Sequence, residues 1–301
     1  MYKDKEIIYI KALTPIHAGA GQTLENVDMP IQRERHSNIP KVEASSLKGS
    51  IKHALYNKFK NDKGELDDND KTELYTIFGP EDSGEDYASA VGFTDAKLLF
   101  FPIKSATDIF KLITCPYVLK RWVEDSQLQD NSNENLKTAL NYLNISEGKC
   151  ITDSNVPIIL EEYIFEKDSD INRHIKELLN TIEGLDNNRI VILNDSDFID
   201  LVTMYTEVIT RNKIDVRTGA AEGTGLFTEE YLPSETILYF MVLASPSFNV
   251  NNQKNSQEVL DYFNENVDKV FQIGGNATIG KGFVKRSGKV GASKNEQSKE
   301  R

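Results

Sequence analysis

The segment from Thr14 to Ala54, TPIHAGAGQTLENVDMPIQRERHSNIPKVEASSLKGSIKHA, constrains this chain more than any other. An apolar, β-branched run, Ile7 to Leu13, reads as a strand and leads straight into it. A small-residue loop (Gly19, Gly21), an acidic point (Asp28) and a basic-polar run (Arg33 to His36) follow, and then a helix over Ser46–Phe59. Ser45 or Ser46 is expected to cap that helix, because a short hydroxyl can accept from the orphan N–H groups of a first turn. Lys48, Gly49 and Lys52 lie on or near that turn. Free amide donors beside lysines suit an anion, and for a polyanion the anion is a backbone phosphate.

The net charge of −12 argues against nucleic acid only as an average. Residues 31–60 hold seven Lys and Arg against two acids, residues 61–86 two against ten, and residues 273–301 seven against two. The local field, not the total, decides polyanion binding, although such patches are also ordinary on solvated surfaces. No apolar run is long enough to span a bilayer. The charged start MYKDKEIIYI is not a secretory signal, and Cys115 and Cys150 lack metal-ligand spacing. A cytoplasmic protein with no membrane partner is expected.

Along the chain, helices are expected over Thr72–Phe78, from Pro116, and over Leu136–Leu143, Ile171–Ile182, Asp195–Thr210 and Ser256–Phe271. Strands are expected over Val91–Phe93 and Ala96–Ile103 as a hairpin around Thr94-Asp95, and over Phe110–Thr114, Val156–Phe165, Arg189–Leu193 and Thr236–Ala244. Asn61–Asp70 and Asp130–Asn135 read as loops, Lys213–Thr224 as a loop or hairpin, and Lys285 onward as a disordered basic tail. The irregular alternation of short strands and helices indicates α+β, and the βα opening fits a ferredoxin-like or RRM-like sheet.

Several residues could carry chemistry. Asp28 taken alone is the kind of loop aspartate that usually serves a turn. His17 could shuttle a proton at neutral pH or simply pack. Glu229 and Tyr231 share one face of a strand and Glu230 points to the other; all three could equally be strand surface. The loop Gly274–Gly282 lacks the GK[ST] ending of a phosphate-binding Walker loop, but its glycines and Lys281 could approach a phosphate, or form a plain turn. No HxxxH or CxxC pattern suggests a preformed zinc site.

The ordered combination VDMPIQRERHSNIP then SSLKGSIK, with GTGLFTEEYLP (Gly223–Pro233) and GGNATIGKGFV (Gly274–Val284), resembles the RAMP superfamily of CRISPR proteins. It is most similar to the repeated backbone subunit of type III-B RNA-guided complexes. The resemblance spans Thr14 to Val284. It implies a single domain over 1–284 with a modified ferredoxin-like/RRM-like core, helical insertions and a thumb-like hairpin around 211–224. It also implies copies of the chain polymerised along a CRISPR RNA with other subunits, cutting paired target RNA at regular intervals. The implied reaction is a metal-dependent attack of a ribose 2′-OH on the adjacent phosphate, with Mg²⁺ the expected divalent ion, held by Asp28 and completed by RNA phosphates.

On that basis Asp28, His17, Glu229 and Tyr231 are the expected catalytic set. Arg33, Arg35, Ser45, Ser46, Lys48, Lys52, Gly280 and Lys281 are the expected RNA contacts. Two alternatives stay open: a non-catalytic guide-binding scaffold with a structural Asp28, and a metal-independent guide-processing RNase using His17 or His36.

Overall fold

The computed structural model describes residues 2–22, 26–81, 87–127, 138, 140–141 and 143–287. The linker Asp130–Asn135 lies outside these residues, as does half of the helix expected over Leu136–Leu143, of which Thr138, Leu140 and Asn141 are helical. The strands in chain order are β1 (Asp4–Ala12), β2 (Lys41–Val42), β3 (Val91–Phe93), β4 (Ala96–Lys104), β5 (Phe110–Thr114), β6 (Lys149–Ile151), β7 (Ile158–Leu160), β8 (Tyr163–Ser169), β9 (Ile190–Leu193), β10 (Glu207–Ile214), β11 (Ala221–Tyr231), β12 (Ile237–Ala244), β13 (Val270–Gln272) and β14 (Phe283–Ser287). Six helices accompany them among the described residues: α1 (Ala44–Phe59), α2 (Asp68–Phe78), α3 (Pro116–Gln127), α4 (Arg173–Leu179), α5 (Asp195–Met204) and α6 (Ser256–Asn266). The class is α+β.

One large mixed sheet runs β13-β14-β1-β12-β4-β5-β9-β6-β8-β7, and β10-β11 form a separate two-stranded sheet. β4, β12 and the centre of β1 (Ile7–Ile10) are buried, which is why they are written as near-continuous apolar runs. α1 turns Leu47, Ile51 and Leu55 into the core at helical spacing, each contributing about 1.5–3 kcal/mol by burial. Trp122 of α3 is fully buried and donates its Nε1–H to Tyr9 Oη at 3.2 Å, so its single polar atom is satisfied.

Several elements depart from the sequence expectation. β3 and β4 do not form a hairpin with each other; both pair with β12, β3 at Val242–Ala244 and β4 at Ile237–Tyr239. The expected strand Val156–Phe165 is a β7-β8 hairpin that turns at Glu161, with φ 51°, and Glu162. α2 starts earlier than Thr72, because the Asp67 side chain caps it by accepting from Asp70 N. α5 stops at Met204 and the β-branched run Val208-Ile209-Thr210 joins β10; α6 stops at Asn266 and Val270–Gln272 is a strand. β14 carries Lys285 and Arg286 into the sheet beside β1, so the sheet reaches Ser287, beyond the expected boundary at 284. The rest of the expected tail lies outside the described residues.

Candidate active site at the base of the hairpin

β11 has two tasks at its inner end. Through Thr210, Ile209 and Glu207 of β10 it forms the hairpin, with Ile209 opposite Glu229 and Glu207 opposite Tyr231. On its other edge it takes the Asp28 segment: Met29 N donates to Thr228 O at 3.0 Å and Glu230 N to Met29 O at 3.0 Å. One step further, Ile16 and Leu232 exchange backbone hydrogen bonds at 2.9 Å. The first motif and the strand after the hairpin, about 200 residues apart in sequence, are thus one surface.

Asp28 is exposed there. Its Oδ2 accepts from Thr228 N at 2.7 Å and from Thr228 Oγ1 at 2.9 Å, while its own amide donates to Thr228 Oγ1 at 2.9 Å. The Thr228 amide, then the Thr228 hydroxyl, hold the Asp28 carboxyl below the usual carboxylate range. The second oxygen, Oδ1, takes no part in these bonds and faces outward with the exposed side chain.

The alternating face of the strand carries Glu229 and Tyr231, both buried. Tyr231 Oη donates to Glu229 Oε2 at 2.6 Å and accepts from Arg211 Nη2 at 2.6 Å and Asn276 Nδ2 at 3.0 Å. Asn276 also donates to Glu229, at 3.1 and 3.3 Å, and Arg211 Nε pairs with the same carboxylate. Burial works to raise the Glu229 pKa, but the Tyr231 and Asn276 hydrogen bonds and the Arg211 charge outweigh it and leave the carboxyl below its ordinary value. Burial, then the Glu229 contact, pushes the Tyr231 phenol up to about 12, so it stays a proton donor at neutral pH. The Lys281 ammonium stands over the Tyr231 ring, 5.0 Å from its centroid.

His17 joins the two faces. Its ring lies 5.4 Å from that of Tyr231, and Nδ1 sits 2.7 Å from the Glu230 carbonyl oxygen. A carbonyl only accepts, so Nδ1 carries the hydrogen of this contact. The glycine loop packs onto the backbone at the same residue: Gly275 N donates to His17 O at 2.8 Å, and Gly282 N to Pro15 O at 2.9 Å. A Cβ on Gly274 would lie 2.3 Å from the His17 oxygen, and Gly274 has φ +75°. At Gly274, then, the glycine serves an approach to protein backbone rather than to phosphate.

The structure brings His17, Glu229, Tyr231 and Lys281 together, and ties Asp28 to the neighbouring residue of the same strand, Thr228. The remaining expected residues are spread more widely. Arg33 turns inward to Glu230 and to the carbonyls of Asn38 and Val202, while Arg35 is exposed. Lys52 reaches Gly79 O at 2.9 Å and Glu81 at 3.0 Å, away from the site. Lys48 is half-buried, and its pKa is lowered by burial and by the Lys52 charge. Gly280 is in the left-handed region at φ +76°.

Neither serine caps α1. The helix begins at Ala44, and its first donors are met from elsewhere: Ala44 N by Asp95 Oδ1 at 2.9 Å, and Glu43 N by Gln32 Oε1 at 2.7 Å. Ser46 instead accepts from Gln32 Nε2 at 3.3 Å, and Ser45 is exposed. An aspartate distant in sequence thus takes part of the place expected for an anion, a substitution that no local pattern announces. Sequence reasoning also missed Thr228, Arg211 and Asn276. Each is an ordinary strand or loop residue until the fold sets it against Asp28 or Glu229.

Residues 9–285 match the sequence model of the RAMP superfamily. The chain belongs to the RAMP superfamily. One curated relative of this RAMP protein, from Pyrococcus furiosus and named CRISPR system Cmr endoribonuclease Cmr4, is 35% identical over 291 residues, 93% of this chain and 94% of the relative. Another, from Saccharolobus solfataricus and named CRISPR system CMR subunit Cmr4, is 29% identical over 305 residues, 92% of this chain and 94% of the relative. Among solved structures, a chain of the Type III-B Cmr-beta bound to cognate target RNA matches this RAMP protein with TM-score 0.74 and 28% identity, covering 95% of this chain and 97% of that one. Oligomeric Cmr4 from Pyrococcus furiosus matches with TM-score 0.67 and 27% identity, over 94% and 98%.

Thr228→Val tests the Asp28 contact at no cost in β-propensity. Losing the hydroxyl donor lets the Asp28 pKa rise toward the ordinary carboxylate value of about 4. A depressed folded pKa contributes stability above the unfolded pKa, and that contribution is lost as pH falls through the folded one. The expected result is an Asp28 titration midpoint, followed by carboxyl NMR, that moves upward in the variant, with full ionisation retained at pH 7.

Proposed function

We propose that this chain is the repeated backbone subunit of a type III-B CRISPR RNA-guided complex and that each copy cuts the paired target RNA at Asp28. Copies of the chain line up along the CRISPR RNA with the other subunits of the complex, and base pairing supplies the sequence specificity. The reading rests on one observation above the others: Asp28 is an exposed carboxylate with one oxygen braced by Thr228 and the other without a hydrogen bond among the described residues, at the foot of the β10-β11 hairpin. The 35% identity to a relative named an endoribonuclease, over nearly the full length of both chains, supports it. We read the antiparallel order β14-β1-β12-β4, reached through β1-α1-β4-β12-α6-β14, as the βαββαβ core of a modified ferredoxin-like domain. The β10-β11 hairpin is then its thumb.

The reaction is transesterification. The ribose 2′-OH attacks the adjacent phosphorus, the P–O5′ bond breaks, and a 2′,3′-cyclic phosphate and a 5′-OH result. In this reading Asp28 Oδ1 accepts the 2′-OH proton or ligates a cation. Among the described residues no three His, Cys, Asp or Glu side chains are gathered as a metal site, and Asp28 Oδ1 has no hydrogen bond. That fits a Mg²⁺ which takes one carboxylate and completes its shell with RNA phosphates and water. When bound, the ion would neutralise charge developing on the phosphate. Buried Glu229 and Tyr231, with Arg211 and Asn276 bonded over them, form the floor that keeps the glycine loop and Lys281 beside the phosphate track.

The test is reconstitution with guide RNA and an end-labelled complementary RNA. Products stepped at a constant interval, absent with EDTA and restored by Mg²⁺, are the expected result. Binding without cleavage would leave a scaffold, and cleavage that persists in EDTA would leave a metal-independent RNase.

A further inference from the structure

Glu230 is the residue of the β11 base that neither the alternation of the strand nor the RNA reading uses. It is buried, and it faces away from Glu229 and Tyr231. Its Oε2 accepts from Ile31 N at 3.0 Å, and its Oε1 accepts from Arg33 Nη2 at 2.5 Å and Thr206 Oγ1 at 2.7 Å. Its amide donates to Met29 O at 3.0 Å and its carbonyl accepts from His17 Nδ1 at 2.7 Å. One residue therefore grips the chain just after Asp28 at Met29 and Ile31, holds the histidine, and ties both to Thr206 where α5 turns into β10.

We propose that Glu230, with Arg33 as its counter-ion, is a positioning residue that fixes Asp28 relative to the hairpin; this rests on the reading of Asp28 as the cleaving group. A buried ion pair is poor value for stability alone, since apolar residues of similar size commonly do as well. What it supplies is a directional, fully satisfied lock. Arg33 accordingly serves the site from within and not as an RNA contact: its side chain is 16% exposed, and its guanidinium is occupied by Glu230 and two carbonyls. A slack Asp28 segment would still bind RNA, but it would present its carboxylate in the wrong place, and a misplacement of about 1 Å is worth roughly 10²-fold in rate.

The test uses the assembled complex with guide RNA and a saturating labelled target, read as the single-turnover cleavage rate, target Kd and pH–rate profile. Glu230→Gln keeps the shape and an acceptor but removes the ion pair. The expected result is a rate at least about tenfold lower, Kd within about twofold and an unchanged profile shape. Arg33→Lys, which loses the fork geometry, is expected to fall in the same direction.

Wild-type rates in both variants would overturn the proposal. So would parallel losses of rate and binding, which mark a structural role, and so would a reshaped pH profile, which would make Glu230 a proton carrier. If Glu230→Gln does not assemble, Arg33→Lys and Thr206→Val decide by the same criteria. Asp28→Asn in the same assay separates the two ideas. Cleavage by that variant sinks the reading of Asp28, whereas its inactivity beside a wild-type Glu230→Gln sinks only this inference.

Discussion

Asp28→Asn is expected to lower target cleavage by about 10²–10⁴-fold, the range for a positioned acid–base or charge-bearing group, while guide binding and assembly stay at wild-type level. The reason lies in which oxygen does what. Asparagine can still accept the Thr228 amide through its carbonyl, so the segment stays attached to β11. It cannot take a proton from a 2′-OH, and it holds a cation far less well than a carboxylate does. The side chain is exposed and, among the described residues, Thr228 is its hydrogen-bond partner, so the fold loses little. The measurement is a single-turnover assay on complexes checked by size and guide content. Cleavage within tenfold of wild type would show that Asp28 is an ornament of the loop.

Gly274→Ala is expected to destabilise the chain by about 3 kcal/mol or more, from left-handed strain of about 1–3 kcal/mol plus overpacking of about 1–3 kcal/mol. The added Cβ would meet the His17 carbonyl oxygen at 2.3 Å, and a backbone oxygen hydrogen-bonded to Gly275 N cannot swing aside as a side-chain tip would. Gly280→Ala is the control. It too has a left-handed φ, +76°, but nothing lies within 4 Å of its Cβ, so only the strain remains. Thermal unfolding should separate the two by several degrees at roughly 2–4 °C per kcal/mol. Equal midpoints would mean that the loop shifts freely off His17. Cleavage should fall further in Gly274→Ala, because Asn276 rides on the same loop and holds Glu229 and Tyr231.

The elements that were legible in the sequence are those whose cause is local. The spacing of Leu47, Ile51 and Leu55 marks α1, and the apolar runs of β1, β4 and β12 mark the central strands. The expected extension of α5 to Thr210 followed apolar spacing and overlooked how strongly β-branched residues favour a strand beside β11. The β3-β4 hairpin failed for a different reason. Thr94-Asp95 looks like a turn, yet Asp95 is used to cap α1 and to pair with Lys41 at 2.8 Å, and the two strands follow each other along β12.

Motif order determined the family, the hairpin region and the candidates Asp28, His17, Glu229, Tyr231 and Lys281, because each lies in a stretch whose residue order is distinctive. The period-two rule also placed Glu229 and Tyr231 on a common face before any contact was known. Only the tertiary structure decided that Thr228 braces Asp28, that Asn276 and Arg211 close over Glu229, that Asp95 stands at the start of α1, and that Arg33 faces inward to Glu230. Those pairings join residues tens to hundreds of positions apart. A buried carboxylate must find partners wherever the fold brings donors, and that choice is made by the packing of whole elements rather than by any local pattern.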